Sequence, residues 1–225
     1  MDQILQTTSA KHQENRGKTF AFKPAHVVTG LVLLAGLAIS CTSVNLGEVQ
    51  PVDICQCIAL DLGIEYRHAE KHVAISGFPA TDLTITTMYT WPQIDPLILD
   101  PPRTGNELLA FHIGVAFLQE AHINSGDCDI HLEISETSAK NARRVIVETP
   151  VDAGYCGARK NIQTQLAQHG FRLDAEHGGE LPQGLPADVV GMAFQDFDHN
   201  AIGLGRGSNQ VQTVWELHPA TVTLK

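Results

Sequence analysis

The chain has 225 residues, 43% apolar and 6% aromatic, with 15 basic and 25 acidic residues and a formal net charge of −10. That length suits one domain with appendages. That charge repels phosphate backbones, so nucleic acid is set aside as a default partner.

The first forty residues carry Lys11, Arg16, Lys18 and Lys23 against only Asp2 and Glu14. Residues 27–41 then read VVTGLVLLAGLAISC. A basic segment, an apolar run and small residues, in that order, make a secretory signal. The apolar run is about 13 residues, short of the ~20 a spanning helix needs. LAISC has the form of a bacterial lipobox ending on Cys41, with Ala38 where Leu is usual. Residues 1–41 are therefore read as a signal or lipoprotein segment with Cys41 as the lipidation candidate. Simple cleavage, an uncleaved membrane anchor and a buried helix are the other readings. Each of the first three sends the domain to the cell envelope or beyond it.

The remaining cysteines are Cys55, Cys57, Cys128 and Cys156. Four is an even number, which suits an oxidising compartment. Cys128 and Cys156 both sit in loop-like edges of strands and are the favoured bridge. Cys55 and Cys57 would close a strained short ring, so their pairing stays open. With His68 and His72 they have zinc-type ligands, but the two cysteines stand one residue too close for a usual finger.

Residues 42–102 show no decisive period and read as a linker. The end of this stretch holds Pro92, Pro96, Pro101 and Pro102, which favour extended chain. From Glu107 the pattern sharpens. ELLAFHIGVAFLQEAHI reads as a first strand, with a helix as its rival. DIHLEIS alternates, with Ile130, Leu132 and Ile134 on one face and Asp129, His131, Glu133 and Ser135 on the other. RRVIVETPV is a third strand, closed by Pro150. GARKNIQTQLAQHGF is a helix, with Ile162 and Leu166 on one face and Gly170 as its stop. DAEHGGELPQGLP reads as loop. ADVVGMAFQDF is a fourth strand in which Gly191 permits a bulge. DHNAIGLGRGSNQ is a mobile loop without the Lys-Ser/Thr ending of a phosphate cradle. TVWELHPATVTL is the fifth strand.

Five strands with one helix between the third and fourth is the order of the OB-fold, a Greek-key barrel. The expected architecture is mainly β: an N-terminal export segment, a linker over 42–102, and an OB-like barrel over 103–225. Arg143-Arg144 and Arg159-Lys160 read as basic spots flanking the third strand. Stacking aromatics are nearly absent there, a second argument against single-stranded nucleic acid.

Four polar signatures lie on these strands: DCDIH (Asp127, Asp129, His131), VETP (Glu148), FQDFDH (Asp196, Asp198, His199) and WELHP (Glu216, His218). With Arg103, Glu107 and Cys156, their order and spacing resemble a family of uncharacterised exported bacterial proteins. The matching segments are Asp127 to His131, Glu148 to Pro150, Val189 to His199 and Glu216 to Pro219. The resemblance spans 103–224, about half the chain. It implies export and the domain boundary, and implies no activity.

The candidate polar set is thus Asp129, His131, Glu148, Asp198, His199, Glu216 and His218. On an outer barrel face such residues are ordinary, and a buried His commonly pairs with a carboxylate or a carbonyl. The structural reading therefore stands first, and no cofactor is required. If the strands are neighbours, His131, Glu148 and His218 also suit a divalent metal such as zinc, and an open position on it would activate water. No G-x-S-x-G elbow is present. The expected function is a cell-envelope binding module for a protein, peptide or glycan, held at the membrane by its N-terminal anchor. A metal-dependent, nuclease-like hydrolase and a structural component of an envelope assembly are the alternatives.

Overall fold

The computed structural model describes residues 66–93, 101–197, 208 and 210–225. Residues 1–41 with Cys41, the Cys55/Cys57 pair, Asp198 and His199 lie outside the described residues. Among the described residues, no helix is long and apolar enough to cross a membrane.

The five expected strands are present: β2 (Ala110–Ile123), β3 (Ile130–Ser135), β4 (Arg144–Thr149), β5 (Gly179–Gln195) and β6 (Trp215–Leu224). They close into a barrel in the order β2-β3-β4-β6-β5, with β5 pairing back onto β2. All contacts are antiparallel except β4 with β6, which is parallel and pairs Val147 with Leu217. This is the connectivity of an OB barrel. Closure leaves the five strands no free edge between them.

Alternation explains the wall. Ile130, Leu132 and Ile134 on β3, Val145 and Val147 on β4, and Leu217 on β6 are fully buried in one core. The helix α3 (Cys156–Gln168) adds Ile162 and Leu166 to that core. It is also stitched to the end of β6, because Leu224 N donates to Gln165 Oε1 at 2.9 Å. Helix α3 ends where expected, with Gly170 at φ 74°, a conformation glycine adopts without a Cβ clash. Gly191 marks a register shift between β5 and β6. A Cβ there would come within 2.7 Å of the Ala220 Cβ, so the two strands approach too closely for any larger residue.

Three sequence expectations need correction. The loop read over DAEHGGELPQGLP gives way at Gly179 to β5, which runs 17 residues to Gln195. Pro182 falls in the interval where the β2–β5 register shifts, between Leu118 and Glu120, and at such a bulge a missing N–H breaks no ladder bond. Second, each basic spot is split between interior and surface: Arg144 and Arg159 are fully buried, while Arg143 and Lys160 are exposed. Arg144 pairs with buried Glu133 at 3.0 Å. Arg159 donates to the carbonyls of Thr149 and Cys128 at 2.9 and 2.8 Å.

Third, the described part of the linker, residues 66–93, has structure of its own. It contains a four-residue helix α1 (His68–Lys71), a short strand β1 (Ala80–Asp82) and a helix α2 (Ile85–Met88). Strand β1 runs parallel to β2. Ile85 and Met88 belong to the barrel core. Trp91 packs edge-on against Trp215 with ring centroids 4.9 Å apart. Its neighbour Pro92 accepts a hydrogen bond from the Trp215 indole. These elements are too short to carry a readable period, and tertiary packing supplies the stability that propensity does not.

Candidate functional site

On β3, β4 and β6 the residues alternate with the core, so His131, Glu148, Glu216 and His218 project from the outer wall. In the OB-fold the second and third strands form the usual ligand face, and here those are β3 and β4. Yet this face is not open. His131, Glu148, Glu216, His218 and Asp129 are all buried. The segment around α1 lies over it, because one ligand-type atom of His72 is within 4.8 Å of counterparts on Asp129 and His218.

Cross-strand register builds the centre. His131 and Glu148 stand directly opposite each other on β3 and β4, and His131 Nδ1 is 2.9 Å from Glu148 Oε1. The other oxygen of Glu148 is 2.8 Å from His218 Nδ1. Glu216 approaches the same nitrogen at 3.4 Å, and Asp129 Oδ2 lies 3.1 Å from His218 Nε2. Beside His218, His72 Nδ1 is 2.6 Å from Asp152 Oδ2, and the His72 and His218 rings are 6.0 Å apart. On the far side His122 stacks on His131 at 4.5 Å.

Four imidazoles and four carboxylates thus lie in one chain of contacts. Burial opposes a charge on His218, but Asp129, Glu148 and Glu216 outweigh it and hold its pKa well above the usual histidine range. His131 is raised in the same way, burial opposing and Glu148 prevailing. Burial would raise Glu148, yet His131 and His218 hold it well below the usual carboxylate range. The contacts to His218 have ion-pair distances but lie off the ring's N–H directions. Neither of its nitrogens makes an aligned hydrogen bond, and the same is true of Asp129 Oδ2 and His131 Nε2. Buried polar atoms without an aligned hydrogen bond are uncommon in native interiors, and here several converge.

The frame around the centre is held by buried charge. Arg67 grips both oxygens of Glu107 at 2.7 and 3.2 Å. Glu107 Oε1 also accepts from Gln195 N at 2.9 Å. Lys71 pairs with Asp196 at 3.1 Å. The guanidinium carbons of Arg67 and Arg103 lie 4.5 and 5.1 Å from the centre of the Phe194 ring. Tyr155 donates to Val73 O at 2.7 Å and accepts from Ile75 N at 3.2 Å.

Of the residues singled out in the sequence, Asp129, His131, Glu148, Glu216 and His218 come together. Glu133, on the same face of β3, does not join them. It is taken by Arg144 and by the backbone N–H and hydroxyl of Ser208. Asp127 folds its own turn, accepting from Asp129 N at 2.9 Å. His72 and Asp152 were not expected at the centre. His72 carries a signal only as a zinc-type ligand beside Cys55, Cys57 and His68, and Asp152 carries none beyond following a strand-ending proline. Compared with protein-family models, with curated proteins and with solved structures, the chain matches none.

Proposed function

We propose that the chain is an exported, envelope-located binding module whose ligand is a divalent transition-metal cation. One observation carries this reading: the fully buried His218, crowded by Asp129, Glu148 and Glu216, with no aligned hydrogen bond at either ring nitrogen. Imidazole and carboxylate together suit zinc, manganese, iron or cobalt better than the all-oxygen sets of calcium or magnesium. The resemblance to exported bacterial proteins and the signal-like residues 27–41 support the location. Partition of the protein with membranes tests the proposed anchor at Cys41.

A peptide or glycan laid across β3 and β4 fits less well, because the chain's own α1 segment lies over that face. A hydrolase needs an open coordination position reached by substrate. The side chains of Asp129 and His218 are 0% exposed and that of His72 is 9% exposed, which favours a held ion over a catalytic one.

Metal analysis of the purified full chain is the direct test. About one transition-metal ion per chain is expected, removed by a chelator and restored by Zn2+ or Mn2+. Reloading the stripped wild-type protein should raise its melting temperature, by roughly 2.7 kcal/mol of added stability at a hundredfold excess over Kd. A chain that takes up no metal at any loading, with an unchanged melting temperature, refutes the reading.

The envelope location also favours a disulfide between Cys128 and Cys156. What supports it is the Arg159 bond to the Cys128 carbonyl at 2.8 Å, which ties the Cys128 backbone to the helix that Cys156 opens. Cys128→Ser is expected to lower stability by about 2–4 kcal/mol under oxidising conditions. Equal stability of the wild type with and without reductant would count against the bridge.

A further inference from the structure

We propose that the ion is ligated by His72, Asp129 and His218, and that Asp152 is the positioning residue that presents His72; this rests on the metal-binding reading above. Two groups of ligand atoms lie within 4.8 Å of one another: His72 with Asp129 and His218, and Glu148 with Glu216 and His218. They meet opposite nitrogens of the same ring. Asp129 is beside Nε2, whereas Glu148 and Glu216 are beside Nδ1. A histidine that binds a metal through one nitrogen generally turns the other toward a carboxylate, which orients the ring and raises its basicity. Glu148 and Glu216 therefore occupy the orienting side, and Asp129 the ligand side.

His72 repeats the pattern. Its Nδ1 is held by Asp152 Oδ2 at 2.6 Å, which assigns Nε2 to the ion. Asp129 divides its two oxygens the same way. Its Oδ1 accepts from Val151 N at 2.8 Å. Its Oδ2 is fully buried, without an aligned hydrogen bond, and faces His218. Two imidazole nitrogens and one carboxylate oxygen make a set for zinc or another borderline transition metal.

The set also fixes what counts as the domain. His72 belongs to the segment before the barrel, brought in by the Arg67–Glu107 and Lys71–Asp196 pairs and by Tyr155. None of these anchors involves the ion. The ligand is thus presented before metal arrives, and a barrel of residues 103–225 alone would lack it.

Competitive titration of the full chain with Zn2+, and the visible spectrum of its Co2+ form, test the assignment. His72→Ala and Asp129→Asn should weaken binding by about a hundredfold or more. Asp152→Asn should weaken it about 10- to 100-fold while the saturated Co2+ spectrum keeps its band shape, because the ligands are unchanged. His72→Ala should alter that shape. The Asp152 side chain is 45% exposed, so this variant leaves the core intact. If metal binds but His72→Ala and Asp152→Asn leave affinity unchanged while Glu216→Gln abolishes it, the ion sits on the other nitrogen and the assignment is overturned. Failure of the wild type to bind any metal would instead remove the reading on which it rests.

Discussion

Arg103→Ala is expected to destabilise the domain by about 3–5 kcal/mol, because it leaves several buried acceptors without a donor, at about 1–3 kcal/mol each. The reason is where its guanidinium ends up. Its Nε donates to Glu70 O at 2.8 Å, and Nη1 donates to Glu107 O at 3.1 Å and to Ala193 O at 2.5 Å. Nη2 donates to the carbonyl of His218 itself. One side chain therefore ties the α1 segment, the turn before β2, β5 and β6 together at the wall that carries the cluster. Burial pulls its pKa down to about 10, so it is still charged at neutral pH. Removing it strands four carbonyls, each of which costs free energy when buried without a donor. Lysine is a point charge with a different donor geometry, so Arg103→Lys should recover only part of the loss. Urea unfolding measures both, and a loss below about 1 kcal/mol for the alanine variant would contradict this account.

In the metal-free protein, stability should pass through a maximum in mildly acidic solution, and Glu148→Gln should flatten it. The sign follows from the shifts. His218 and His131 have folded-state pKa values above the ordinary 6.5. Their contribution is complete below about pH 6.5 and is lost as pH rises through the raised values. Glu148 lies below its ordinary 4.5, so its contribution is complete above about pH 4.5 and is lost as pH falls through the depressed value. Both limbs pass through Glu148, because it is the carboxylate that touches both imidazoles. Glutamine keeps the shape and removes the charge. The variant should be destabilised most between about pH 4.5 and 6.5 and least at the extremes. Chemical denaturation across pH checks this, and parallel wild-type and variant curves would show that the pairing carries no net stability.

The barrel was legible because its signals are local. In β3, Ile130, Leu132 and Ile134 alternate with His131, Glu133 and Ser135, and period two has one reading when one face must enter a core. In α3, Ile162 and Leu166 lie four apart ahead of a glycine at positive φ, and that too is read within a few residues. The extent of β5 was not legible. Its proline-bearing half looks like loop until β2 is present to pair with it. The elements of 66–93 escaped for a related reason: Ile85 and Met88 are two apolar residues in one turn of helix, meaningful only against the cluster they complete.

The candidate site divides along the same line. By itself the sequence determined the strand order, the mainly β class, and which face of β3 and β6 holds acids and imidazoles, because side-chain alternation is a property of the backbone and needs no partner. Tertiary structure alone decided that Glu148 faces His131 while Glu133 goes to Arg144, and that His72 and Asp152 join a centre otherwise made on β3, β4 and β6. Those choices are set by register and by closure of the barrel. Both bring together residues far apart along the chain, and no short window of sequence contains them.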